Sequence, residues 1–185
     1  MPGQRRSPLQ GPLPHGPQVQ GPPAHGPQLQ GPLAHGDVRA DLAAALHRGV
    51  SGLLGIETVE LGPERVELRL AVDERVHQPY GILHGGVSAL LAEAAASFGA
   101  SLAAPPGHFV VGIELNASHL RPMREGVLSA VATPVRVGRS VQVWEICLSD
   151  ERGREICRSR CTLAVLRIGS GDGADPSTSE PSSSW

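Results

Sequence analysis

Between Gly85 and Ala104 the chain carries a single charged side chain, Glu93, in a run of Ala, Leu, Gly and Ser without proline. That run is too long for a strand and too apolar for a surface helix, so its composition and length predict a buried helix. The rest of the fold has to be arranged around it. A carboxylate inside such a helix is costly to desolvate unless a partner is supplied. An ionisable group in an otherwise apolar stretch is therefore a candidate catalytic group. The opposing reading is a structural glutamate neutralised by a buried arginine. The run also has transmembrane length, but its small residues and a charge near its centre argue against a membrane span.

Glycine, proline, glutamine and serine cluster at the two ends of the 185-residue chain, which places a folded domain at 37–168. Residues 1–36 repeat every ten positions, with Gln-Gly-Pro at 10–12, 20–22 and 30–32 and His-Gly at 15–16, 25–26 and 35–36. Proline blocks regular ladders and few large apolar groups offset the ordering entropy, so this tail and the one at 169–185 are expected to be disordered. Arg5 and Arg6 precede the domain, and Asp172, Asp175 and Glu180 follow it. This leaves 14 of the 16 basic residues, all arginine, against 15 of the 18 acidic ones. A near-neutral domain argues against nucleic acid as a partner, since binding a phosphate backbone needs a basic excess. The N-terminus has no apolar leader and the three cysteines are odd in number, which fits reduced thiols in the cytoplasm. Cys157 and Cys161 share one face of a strand, yet no second close Cys/His pair accompanies them in the domain, and no metal site is expected.

Asp37 is placed to cap a short helix through Arg48 that buries Leu42, Ala45 and Leu46. Two strand-like runs flank Gly62-Pro63, the second alternating Val66, Leu68, Leu70 and Val72 with polar or small residues. After the long helix, ended by Pro105-Pro106-Gly107, four more strands are expected, at 108–120, 126–137, 140–149 and 154–168. Phe109, Val111, Ile113 and Leu115 should line one face of the first. Asp150 to Gly153 reads as a hairpin turn with Gly153 at positive φ. One apolar helix against a mostly antiparallel six-stranded sheet is an α+β arrangement in which the sheet wraps the helix.

Gly85 and Gly86 open the helix directly after His84. The first N–H groups of a helix lack internal partners and lie at its positive end, and glycines let a substrate approach them. This is a candidate oxyanion hole, able to polarise a carbonyl. Glu93 lies eight residues on, about 12 Å along the same helix axis. The two cannot both touch one carbonyl carbon. If both are catalytic, Gly85 must meet Glu93 of a second copy across two antiparallel helices, with two sites per homodimer. Ser97, four residues beyond Glu93 on the same face, is placed to hold a water beside the carboxylate.

The segment Gln78-Pro79-Tyr80-Gly81-Ile82-Leu83-His84-Gly85-Gly86, followed by Leu91-Ala92-Glu93 and Ser97, resembles the hotdog-fold acyl-CoA thioesterases. More narrowly, it is similar to the branch containing 4-hydroxybenzoyl-CoA, 1,4-dihydroxy-2-naphthoyl-CoA and enterobactin-proofreading thioesterases. The resemblance continues through 112–121 and 142–146 and ends at Arg160-Cys161-Thr162. It implies that Gln78 helps to hold the thioester, that His84 orders its loop and that the Gly85 N–H binds the thioester oxygen. It further implies Glu93 as nucleophile or general base, with Ser97 positioning the water. Coenzyme A would enter as part of the substrate, with no other cofactor. Beside Gly86, the candidates for holding substrate and its phosphates are His119, Arg121, Arg124 and the turn Gly138-Arg139-Ser140. The resemblance also implies a homodimer that assembles to a homotetramer. A hotdog hydratase and a non-catalytic acyl-CoA-binding module are the competing readings.

Overall fold

The computed structural model describes residues 46–168 together with Leu42 and Ala44. The expectations for the two tails, for the Asp37 cap and for Ala45 lie outside the described residues. Leu42 and Leu46 are helical and buried, at 4% and 2% exposure. A short helix α1 (Gly49–Leu54) follows, ended by Gly55 in the left-handed region at φ 68°. The sequence reading had only a strand-like run before Gly62. The difference arises because Gly49 and Gly55, both at positive φ, punctuate one extra helical piece ahead of the strand.

Six strands form one antiparallel sheet: β1 (Glu57–Leu61), β2 (Val66–Val72), β5 (His108–His119), β6 (Gly126–Val137), β7 (Val141–Ser149) and β8 (Glu155–Arg167). Their spatial order is β1-β2-β6-β7-β8-β5. Between β2 and the long helix lies a two-residue hairpin, β3 (His77–Gln78) with β4 (Ile82–Leu83). The helix α2 (Gly85–Ala103) lies in the concave face of the sheet. In β2, the apolar residues Val66, Leu68, Leu70 and Val72 are buried and the residues between them are more exposed, as a strand with one solvated face requires.

What seats the helix is a stripe of small residues. Ser88, Leu91, Ala92, Ala95, Ala96, Gly99 and Ala100 recur at three- and four-residue spacing and are all buried. Missing side-chain bulk lets the sheet come close. A Cβ on Gly99 would lie 2.5 Å from the ring of Trp144, itself fully buried. Behind that contact the Trp144 indole N–H donates to Gln142 Oε1 at 3.0 Å, and Gln142 Nε2 donates to the Ala100 carbonyl at 3.1 Å. Both buried polar side chains are thereby satisfied.

Two sequence expectations change. The helix is buried along one flank only, and Glu93 is exposed in the chain, because it lies off the Ala92–Ala95–Ala96–Gly99 stripe that meets the sheet. Second, β5 does not present Phe109, Val111, Ile113 and Leu115 on one face. A bulge between Gly112 and Glu114 inserts Ile113 as an extra residue. Phe109 and Val111 pair with Leu166 and Ala164, whereas Val110, Leu115 and Ala117 pack against the core. Within the chain β5 is an edge strand, with Val111 40% and Ile113 58% exposed.

Candidate active site

The chain enters α2 through His84, whose extended backbone and ring together make the helix cap. His84 Nδ1 accepts from the Gly86 N–H at 2.9 Å, and the His84 carbonyl accepts from the Val87 N–H at 2.9 Å. The ring nitrogen must therefore be unprotonated at Nδ1 for this cap to hold. With the second and third helical N–H groups engaged, the first stands out. Among the described residues the Gly85 N–H has no acceptor. One amide of the glycine pair, not two, is left for a ligand.

That amide opens onto a cavity of about 430 Å3 lined by Gln78, Ile82, Leu83, Gly85, Ser88, His119, Leu120, Arg121 and Pro122. Gln78 comes from β3, half-buried, and its carbonyl accepts from the Gly81 N–H at 2.9 Å to close the turn. His119, at the end of β5, stands directly over the helix start. A Cβ on Gly85 would be 2.7 Å from His119 Nε2, so only glycine fits there without moving the ring. Arg121 also lines the cavity, with its Nη1 donating to the Glu155 carbonyl at 2.6 Å. Ser88, only 1% exposed, lines the same cavity one turn after Gly85. Sequence reasoning passed over it, although its i+3 spacing from Gly85 on one helix face was the available signal.

Glu93 and Ser97 lie two to three turns further along α2 and do not line this cavity. The Glu93 carboxylate points to the β5 bulge. A Cβ on Gly112 would sit 2.8 Å from Glu93 Oε1, so the glycine leaves the seat the carboxylate occupies. Beneath it, burial first, and then the negative charges of Glu93 and Glu114, push the Cys161 thiol up to about 11. Among the described residues no arginine or histidine forms an ion pair with Glu93 and no donor is hydrogen-bonded to it. The reading as a neutralised structural glutamate thus finds no partner among the described residues.

Arg124 turns away from the cavity and donates from Nη1 to the Gly81 carbonyl at 3.0 Å. Gly138, Arg139 and Ser140 form the β6–β7 turn, close to the C-terminal end of α2, since Gln142 two residues later bonds Ala100. A Cβ on Gly138 would meet the Val141 carbonyl at 2.5 Å, which accounts for that glycine by backbone fit alone. A larger concavity of about 570 Å3 lies between residues 122–126 and the 150–154 hairpin. Two of its charged residues, Asp150 and Arg154, are bonded to each other.

A single free amide at a helix start beside a pocket of mixed polar and apolar lining, with a glutamate further along the same helix, is a layout suited to acyl transfer or hydrolysis. The family model for the thioesterase superfamily matches residues 80–157. The 1,4-dihydroxy-2-naphthoyl-CoA hydrolase of Listeria monocytogenes is 46% identical over 119 residues, 64% of this chain and 97% of that protein. The proofreading thioesterase EntH of Cronobacter turicensis is 46% identical over 113 residues, 61% of this chain and 82% of its own. The crystal structure of a Haemophilus influenzae thioesterase superposes with a TM-score of 0.68 at 39% identity, covering 75% of this chain and 96% of that one. The chain belongs to the thioesterase superfamily. It is a thioester hydrolase with the hotdog fold, a long helix wrapped by an antiparallel six-stranded sheet.

Proposed function

We propose that the chain hydrolyses an acyl-CoA thioester, with an aryl or similarly bulky acyl group, to the free acid and coenzyme A. The observation that carries this is the unpaired Gly85 N–H facing the cavity that Gln78 and His119 also line. The thioester oxygen accepts from that N–H, and charge developing on it is stabilised by the helix start. Gln78 holds the carbonyl from the other side. Glu93 of a second copy either attacks the carbonyl carbon, forming a mixed anhydride that water then cleaves to the free acid and the regenerated carboxylate, or takes a proton from the attacking water. In both cases the coenzyme A thiolate leaves and is protonated. Ser97 holds that water.

A second copy follows from length. Eight residues of one helix separate Gly85 from Glu93 by about 12 Å, and among the described residues of its own chain Glu93 has no partner. Two α2 helices packed antiparallel bring each Gly85 to the other's Glu93. The same arrangement carries the Arg139–Ser140 turn, level with the helix C-terminus in its own chain, toward the partner's cavity and the phosphates of the substrate. The exposed β5 edge, with Val111 and Ile113, is the surface that such a dimer covers. The 1,4-dihydroxy-2-naphthoyl-CoA named for the Listeria relative supports an aryl acyl group.

Subunit mixing tests the composite site. Gly85→Pro removes the amide donor at the first helical position, where proline suits the backbone; its Cβ also displaces His119 of the same chain, which affects only the site already disabled. Glu93→Gln removes the carboxylate. Each alone should be nearly inactive in a free-thiol assay with aryl-CoA. Mixed in equal amounts and allowed to exchange, they should regain roughly a quarter of wild-type activity, because half the dimers carry one intact site. No recovery from a mixture shown to exchange would place both groups in one chain's site and end the dimer reading.

A further inference from the structure

The turn that carries Gln78 is held in an unusual way. Pro79 and Tyr80 at its tip are exposed, Tyr80 at 82%, so no apolar contact of these two holds the tip, although Leu83 at its foot is in the core. Three hydrogen bonds to the neighbouring segment do so instead. His77 Nε2 donates to the Arg124 carbonyl at 2.7 Å, and the Leu83 N–H donates to the Met123 carbonyl at 2.7 Å. These fix the two feet of the hairpin. Between them the Arg124 guanidinium donates to the Gly81 carbonyl at 3.0 Å, on the residue whose own N–H bonds Gln78. Gly81 takes φ +67°, so the turn depends on a glycine, and among the described residues the Arg124 guanidinium is the side chain tied to its tip. Met123, only 6% exposed, roots the latch in the core.

We propose that Arg124 is a positioning residue, latching the 78–83 turn so that Gln78 stays aimed into the cavity, and is not a partner of substrate phosphate. Two independent placements support this. Arg124 does not line the cavity that Gln78, Gly85 and His119 share; it lines two other concavities, one of which meets that cavity at Pro122. Among the described residues it also has no carboxylate partner, so its one recorded side-chain bond is to the turn. The inference rests on the role proposed for Gln78, but the latch itself has a readout that needs no activity.

In Arg124→Ala, amide hydrogen exchange of residues 78–83 should quicken while that of α2 and the sheet stays as in the wild type. Turnover should fall on the order of tenfold with KM nearly unchanged, as for a misplaced catalytic group. The same loss should appear with an acyl-pantetheine thioester, which has no phosphates. In a Gln78→Ala background, Arg124→Ala should cost little more, because both act on one contact. Unchanged exchange in the turn overturns the latch. So does a loss expressed as raised KM with acyl-CoA and absent with acyl-pantetheine, since that is the behaviour of a phosphate ligand. A wild-type chain inactive on every thioester defeats the proposed function, and the exchange measurement then still decides the latch.

Discussion

Asp150 and Glu93 are carboxylates of one molecule with opposite fates. Asp150 is 8% exposed and uses both oxygens: Oδ1 accepts from the Arg152 and Arg154 N–H groups at 3.0 and 2.8 Å, and Oδ2 from Arg154 Nε and Nη2 at 2.7 and 2.6 Å. Burial pushes its carboxyl upward, but the hydrogen bonds from the Arg154 side chain and from the two backbone amides outweigh it, and the net shift is downward. Glu93 has no donor among the described residues, although it is the acid in the most apolar segment. One carboxylate is consumed in making a hairpin. The other is left over by the fold, and a group the fold does not use is available for chemistry.

Exchanging the acids for their amides should break this contrast most visibly. Glu93→Gln is expected to lower turnover about a thousandfold and to leave the melting temperature nearly unchanged. Asp150→Asn should do the reverse, lowering the melting temperature by roughly 5 °C with turnover close to wild type. Thiol-release kinetics and a thermal melt on both variants check the pair. A large activity loss in the Asp150 variant, or a large stability loss in the Glu93 variant, would erase the distinction.

A smaller effect sharpens the Glu93 side. Gly112→Ala puts a methyl 2.8 Å from the present position of Oε1, so the carboxylate must move. Turnover is expected to drop on the order of tenfold, with the fold retained. Wild-type kinetics in this variant would show that the bulge seat does not matter.

The smallest effect concerns acid. The folded Asp150 carboxyl lies below its ordinary value of 3.8, so its contribution is full above that pH. It is lost as the pH falls through the lower folded value. Denaturant melts at pH 5 and pH 3 should therefore show a larger loss of stability in the wild type than in Asp150→Asn. Parallel losses in the two would mean that the Asp150 bonds contribute nothing through proton linkage.

Much of this arrangement was legible beforehand. The long helix, the Val66–Val72 strand and the Asp150–Gly153 hairpin were marked by local signals: a stretch without proline, alternation, and a turn glycine that takes φ +73° in the structure. Gly85 was available from its place at the helix start, whereas Gln78 came from the family resemblance alone and His119, expected at the substrate phosphates, was not foreseen beside Gly85. The bulge was hidden, because Val111, Ile113 and Leu115 alternate without a break and nothing local marks Ile113 as supernumerary. The exposed flank of α2 was hidden for another reason. Alanine is equally suited to facing a sheet of its own chain or a neighbour, so composition does not say which side of the helix is covered. The second helical piece at 49–54 was masked by its glycines, and Ser88 by being one polar residue among small ones.

The bulge has one more consequence. Because Gly112 pairs with Leu163 and Glu114 with Thr162, Ile113 is a residue of slack that changes no neighbour's facing. Deleting it would straighten β5 yet keep Val110 and Leu115 pointing inward and Val111 and Glu114 outward. Excising that single position would therefore separate the shape of the strand from its chemistry, which no substitution in it can do.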